Sequence, residues 1–233
     1  RDTPMNTQQH KFLRTIRHSG KYLLDLINDV LDYSKLEAGN FELELTNFHP
    51  REVLTEVYET FRGQAEKKGL VLKSQQDHTL PQVLVGDPLR LKQMLFNLTN
   101  NAIKFTDKGS VTIDCKVLSK QKQQLQLAFS VSDTGIGIAK DKLTTIFQEY
   151  GQAEQHTARK FGGTGLGLTI SKRFAELLGG DITVAATEMG VGSTFRATVS
   201  TGPLEGVRML NDPVLETIVA PEGVAGSYSR GAA

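Results

Sequence analysis

Apolar residues recur at helical spacing from Thr7 to Ala38. Ile16, Leu23 and Val30 fall seven apart, and Phe12, Leu24, Ile27 and Leu31 widen the stripe. This spacing predicts one long helix with a bundle-type seam rather than a helix lying on a sheet. Thr7 is the expected N-cap, with Gln8 and Gln9 in the first turn, and "EAGN" at 37–40 is the expected stop. Gly20 weakens the middle by roughly 1 kcal/mol against Ala, so packing must stabilise the helix. One helix cannot hide such a stripe, and the pattern calls for a partner helix.

After Gly39 the pattern changes. "FELEL" at 41–45 alternates like a strand, residues 51–68 read as a helix ending at "KKG", and "LVLKS" and "QVLVG" read as short strands. Residues 87–106 predict a strongly apolar helix. "SVTIDCKVL" and "QLQLAFSVS" follow as two alternating strands joined by the polar turn "SKQKQQ". A glycine-rich, polar stretch covers 148–164, and its "GQAEQHTARKFGG" has almost nothing to bury, so it is expected to act as a lid. A helix then runs to Leu178, followed by the strands "DITVAAT" and "TFRATVS". Strands mixed with helices predict an α/β (α+β) two-layer sandwich over 41–202, preceded by the long helix of 1–40. The tail at 203–233, rich in Gly, Ala, Pro and Ser, is expected to be linker or disordered.

Composition narrows the partners. The formal charge is +1 across 233 residues, with both signs mixed along the chain, so no nucleic-acid footprint is expected. No apolar run approaches the ~18 residues of a membrane span. Direct membrane contact is therefore not expected, and any anchor of a longer protein would lie outside these residues. The lone Cys115 cannot form an internal disulfide, and a reducing, cytoplasmic setting fits it best.

Two glycine-rich stretches invite a phosphate reading. "DTGIGI" at 133–138 follows a strand, but Lys140 stands where a dinucleotide fingerprint has its third glycine. "GGTGLGL" at 162–168 spaces Gly163, Gly165 and Gly167 two apart, and neither stretch contains the G-K-[ST] of a P-loop. Glycines still let backbone N–H groups approach phosphate oxygens, and "GTGLGLTISKRF" opens a helix whose N-terminus attracts anions. Either stretch alone is equally a tight turn. Asp133 could select a donor such as the exocyclic amine of adenine. It also reads as a turn-forming Asp before Thr-Gly. In "RLKQMLFNLTNNAIKFT", Asn97 and Asn101 share a helix face with Lys104 one turn on, opposite the core stripe of Leu91, Leu95, Leu98, Ala102 and Phe105. Two amide oxygens there could line a Mg²⁺ site beside a phosphate-neutralising lysine. The plainer alternative is a solvated polar face.

The ordered series "NLTNNAIKFT", "DTGIGI", "IFQEYGQ" and "GGTGLGL" resembles the N, G1, F and G2 boxes of the sensor histidine kinases. "IRHSGKYLLDLINDVLDYSKLEAGNFELE" resembles that family's second dimerisation helix and hinge. The resemblance covers about Gln8 to Ser200. It implies a Bergerat-type ATP-binding fold with ATP and Mg²⁺ as ligands. Asn97 and Asn101 would then hold Mg²⁺, Asp133 would read adenine, and Lys104 and Arg159 would contact phosphates. Gly135, Gly137 and Ile138 would shape the base pocket. Gly163, Thr164, Gly165, Leu166 and Gly167 would hinge and cap the lid. Thr194 would assist at the adenine end, and Phe147 and Tyr150 match the F-box aromatics. The implied partners are a response regulator receiver domain and a second copy of the chain, joined through the dimerisation helices.

One part of the family pattern is missing. The phosphoacceptor histidine belongs to the first dimerisation helix, in a motif close to H-E-[LI]-R-T-P. "RDTPMN" at 1–6 leaves no room for that helix and reads as the loop before the second. His10, His18, His49, His78 and His156 lack the acidic neighbour and the R-T-P context, so no phosphoacceptor is expected among these residues. Gyrase-like ATPase switches sharing the fold place a glutamate base four residues before the Mg²⁺ asparagine. Asn97 stands there and cannot act as a base. The expectation is the catalytic core of a histidine kinase, with a nucleotide-binding pseudokinase or a gyrase-like ATPase switch module as the alternatives.

Overall fold

The computed structural model describes residues 5–120, 124–148, 165–202 and 218–219. Helix α1 spans Thr7–Glu37, and its N-cap is Asn6 rather than Thr7. Asn6 Oδ1 accepts from the Gln9 N–H at 2.9 Å, while Gln9 Oε1 accepts from the Asn6 N–H at 2.8 Å. This reciprocal box satisfies donors that Thr7, already inside the first turn, is one residue too late to reach. The stripe of α1 lies open: Ile16 is 67% exposed and Leu24 62%. Its C-terminal end meets the rest of the molecule. Tyr33 and Leu36 pack against the core.

"FELEL" forms no strand. Phe41 and Leu43 turn inward while Glu42 and Glu44 face out, so the alternation records one-sided burial of an extended segment without a ladder partner. The Phe41 ring lies 5.3 Å from that of Phe174. The Arg90 guanidinium sits 4.6 Å from the centre of Phe41 and 5.1 Å from that of Phe174, and pairs with Asp32 of α1 at 3.2 Å. Gln93 donates to the same Asp32 carboxylate. Strand β1 begins only at Thr46 and ends at Phe48.

Helix α2 (Pro50–Lys68) opens on a proline and closes at Gly69, whose φ of 74° is the left-handed conformation a helix terminator needs. Strands β2 (Leu70–Gln76) and β3 (Leu84–Gly86) follow, with β3 antiparallel to β1. Helix α3 (Pro88–Phe105) starts at Asp87. That carboxylate, 4% exposed, accepts the Arg90 N–H with one oxygen and the Glu44 N–H with the other. One buried side chain therefore caps α3 and holds the segment arriving from α1.

Strands β4 (Gly109–Lys120) and β5 (Leu125–Asp133), helix α4 (Gly167–Leu177), and strands β6 (Ile182–Glu188) and β7 (Gly192–Ser200) complete the layer. The sheet runs β6-β7-β5-β4-β2 and ends at β8 (Ile218–Val219). Only β2 and β4 are parallel, and the α3 crossover between them makes that possible. β8 comes from the tail expected as linker: Ile218 and Val219 pair with Ser74 and Lys73 at the edge. Helices α2, α3 and α4 cover one sheet face. Leu54, Val57, Met94, Leu95, Leu98 and Phe174 meet Val111, Ile113, Cys115, Leu127, Phe129 and Val131. This is the expected two-layer α/β sandwich with a long helix in front. Burial pushes the Cys115 thiol well up, so it acts as a small apolar side chain.

Two leucines on α3 test the layering. Leu95 is fully buried and Leu89 is 57% exposed. Leu95→Ala should cost about 2–5 kcal/mol in urea denaturation, and Leu89→Ala about 0.5 kcal/mol or less. Equal losses would contradict this placement of the core.

Candidate nucleotide-binding site

β5 delivers Asp133 to the end of a central strand, between Val111 of β4 and Ser193 of β7. Burial pushes its carboxyl above the ordinary value. Backbone N–H groups of Gly135 and Ser193, directed at the carboxylate, partly offset this. The Gly135 N–H donates to Oδ1 at 2.8 Å. The following turn is pressed between the end of α3 and the β6–β7 hairpin. Ile136 N–H donates to the Phe105 carbonyl at 3.3 Å, Gly190 N–H to the Ile136 carbonyl at 2.8 Å, and Ile138 N–H to Thr187 Oγ1 at 2.8 Å. A Cβ on Gly135 would meet the Phe105 carbonyl, and one on Gly137, at φ 72°, would meet the Glu188 carbonyl. The glycines thus have a reason invisible in the sequence: the protein's own backbone closes on them.

The polar face of α3 behaves differently from a solvated surface. Asn97 Nδ2 donates to Ser171 Oγ at 2.9 Å, and Asn101 Nδ2 points to Asn97 Oδ1 at 3.4 Å. Gly167 opens α4, and a Cβ there would lie 2.6 Å from Asn97 Oδ1. The Asn97 amide therefore sits at the start of α4. Among the described residues, no side chain caps that start, and no acidic residue occupies its first turn. The positive end of the helix dipole lies at that start. Leu166, 3% exposed, anchors the approach, and Gly165 takes φ 73°. Lys104 is half-buried, and burial pulls its pKa down. Its ammonium lies 4.9 Å from the Phe105 ring centre.

Phe147 ties the segment after the turn to α4 and β7. Its carbonyl accepts from Thr169 Oγ1 at 3.1 Å, and its ring meets Phe195 edge-on at 6.4 Å. Thr194, paired in register with Ser132 beside Asp133, donates to Ser132 Oγ at 2.9 Å. Tyr150, Arg159, Gly163 and Thr164 lie outside the described residues, as does the stretch at 151–163 expected as a lid. Sequence reasoning overlooked Ser171, Thr187 and Ser193. Ser171 left one trace, a small polar residue in the buried stripe of "GLGLTISKRF". Thr187 and Ser193 left none, because the hairpin that joins them and the return of the Ile138 N–H to Thr187 are set by the fold.

Family models match this chain in two places. Residues 86–203 match the family described as histidine kinase-, DNA gyrase B-, and HSP90-like ATPase. Residues 1–39 match the His Kinase A (phospho-acceptor) domain. The chain belongs to this ATPase family, and its catalytic layer is an ATP-binding domain of the histidine kinase kind. Hybrid signal transduction histidine kinase B of Dictyostelium discoideum is 42% identical over 86% of this chain, which spans 10% of that protein. The autoinducer 2 sensor kinase/phosphatase LuxQ of Vibrio cholerae is 37% identical over 91% of this chain, which spans 24% of it. Full-length ShkA, solved in complex with AMPPNP, superposes with a TM-score of 0.71 at 32% identity, covering 86% of this chain and 40% of that one. The histidine kinase AdeS of Acinetobacter baumannii shares the fold, with a TM-score of 0.64 over 91% of this chain and 88% of that one, at 20% identity. Among the described residues, no helix is long and apolar enough to cross a membrane.

Asp133 has a measurable stability signature. Its pKa is raised by burial, so the protonated form favours folding. That contribution is complete below the ordinary carboxylate value and is lost as pH rises through the raised one. Without nucleotide, Asp133→Asn should therefore melt no lower than the parent at pH 7, with any gap closing as pH falls. A clear loss of stability at pH 7 would contradict a carboxylate held at a cost.

Proposed function

We propose that this chain is the ATP-binding catalytic core of a two-component sensor histidine kinase. In this reading the γ-phosphoryl group of ATP passes to a histidine on the first dimerisation helix and onward to a response regulator receiver domain. The observation that carries it is the Asn97 amide set against Gly167 at the start of α4, one helix turn from Asn101. An amide has no proton-accepting role toward water, so this position suits phosphoryl positioning rather than a gyrase-type hydrolytic base.

The assignment of roles follows the chemistry of each group. Asp133 accepts from the exocyclic amine of adenine, which its buried carboxylate selects over a carbonyl. Gly135, Gly137 and Ile138 form the turn beside the base, and Thr194 supports the same end. Lys104 offsets phosphate charge, with Arg159 assigned the same task. The α4 N-terminus, reached through Gly165, Leu166 and Gly167, receives phosphate oxygens. A bound Mg²⁺ would supply neutralisation of phosphate charge and would need only one or two protein oxygens. Asn97 and Asn101 fit that demand. Among the described residues, no three His, Cys, Asp or Glu side chains gather into a metal site of their own. Little covalent chemistry falls to the protein in such a transfer, since placing donor and acceptor in line supplies most of the rate.

The exposed stripe of α1 fits a helical bundle between two copies, which is how the acceptor would be presented. A cytoplasmic location accords with the ATP supply and the unpaired Cys115.

Calorimetry tests the site directly. Asp133→Asn should weaken ATP by one to two decades, about 1.5–3 kcal/mol for a lost charged hydrogen bond, and narrow its preference over GTP. Asn101→Ala should chiefly flatten the magnesium dependence. Unchanged ATP binding in the first variant would remove the adenine assignment, and an unaltered magnesium titration in the second would remove the metal role.

Transfer is tested separately with γ-labelled ATP and magnesium. These residues alone should gain no acid-labile, alkali-stable label, whereas a chain extended upstream through the acceptor helix should become labelled. Stoichiometric label on any of the five histidines of this sequence would overturn the assignment of the acceptor to that upstream helix.

A further inference from the structure

We infer that Thr187 is a positioning residue for the nucleotide site, holding the turn after Asp133 at the distance adenine requires. The inference rests on the proposed adenine site and adds a residue to it. Thr187 lies at the end of β6, paired in register with Ser193 of β7. Its hydroxyl has three partners. It accepts from the Ile138 N–H at 2.8 Å, lies 3.0 Å from Ser193 Oγ, and donates to the Gly192 carbonyl at 3.3 Å.

A hydroxyl has one proton and two lone pairs, so three partners fill it completely. Only one assignment uses all three. The proton goes to Gly192, one lone pair takes the Ile138 N–H, and the other takes the Ser193 hydroxyl. Ser193 is therefore the donor in its contact with Thr187. The Ser193 backbone N–H is directed at the Asp133 carboxylate, and Ser193 itself is 6% exposed.

One oxygen atom thus joins both ends of the adenine wall. On one side it fixes the amide of Ile138, the last residue of the "DTGIGI" turn. On the other it fixes the residue facing Asp133 across the ladder. Gly192 makes the junction tight, because a Cβ there, at φ 136°, would strike the Asp133 carbonyl. The adjacent hydrogen bond from Gly190 to Ile136 closes the hairpin onto the same turn but passes entirely through backbone. Thr187 is the side-chain link, and so the one that substitution can remove.

The experiment compares Thr187→Val, Thr187→Ser and Asp133→Asn in the full chain, with ADP and GDP binding measured by calorimetry in magnesium. Thermal melting and binding stoichiometry are recorded for each. Valine keeps the branched shape and deletes the oxygen, leaving three polar groups without their shared partner. Thr187→Val should weaken ADP about tenfold and narrow the ADP-to-GDP ratio, while Thr187→Ser stays within about threefold of the parent. A merely structural role would lower the melting temperature and the active fraction but leave that ratio unchanged in the folded molecules. Such a result overturns the inference, as does Thr187→Val binding like the parent while Asp133→Asn is impaired. Equal impairment of both Thr187 variants would assign the effect to the methyl group and overturn it too. If Asp133→Asn itself binds like the parent, the adenine reading fails and the role of Thr187 with it.

Discussion

Where α3 ends, the carbonyl of Phe105 has no further helical turn to satisfy it, and the N–H of Ile136 takes that place. This one hydrogen bond joins the helix that carries Asn97 and Asn101 to the turn that follows Asp133. It demands that the chain pass very close to a carbonyl oxygen, and Gly135 lacks a Cβ for that reason. The amide face and the carboxylate come from segments about thirty residues apart in sequence, yet their relation is set by backbone contact. A site that must align a purine with a triphosphate benefits from this, since a backbone bond holds position better than a rotamer does.

Much of this architecture is legible in the order of residues. The stripe of α3, the alternating pair β4 and β5, and the proline and glycine around α2 each specify their element through local chemistry. Asp133 and the two asparagines are legible for another reason: polar groups placed where burial is expected are costly without partners. What stays hidden is the set of partners. Nothing local announces that Ser171 will receive the amide of Asn97, or that Thr187 will receive the N–H of Ile138. The "FELEL" segment shows the opposite failure. Its alternation is genuine, but burial on one side and hydrogen bonding in a ladder leave the same period in the sequence. Similarly, Thr7 and Asn6 are both able caps, and only the reciprocal contact with Gln9 distinguishes them.

The electrostatics of the site show what the fold gives up. Burial raises the carboxyl of Asp133 and lowers the ammonium of Lys104, so each charge is held where water would hold it better. The two N–H groups directed at Asp133 recover part of that cost without neutralising it. A ligand that brings a donor to the first charge and anionic oxygens to the second would recover more. The positive end of the α4 dipole lies beside the Asn97 amide.

Arg90 gives the molecule a mechanical property. Its guanidinium lies over the neighbouring rings of Phe41 and Phe174 and pairs with Asp32, so a single cation is shared by α1, the segment leading from it, α3 and α4. Breaking that contact removes a partly buried charge from both its partner and its aromatic faces, a cost concentrated in one place rather than spread over a large apolar seam. Arg90 thus links the end of α1 to α4, whose first residue, Gly167, lies against Asn97, so the setting of α1 and the placement of that helix start share one contact.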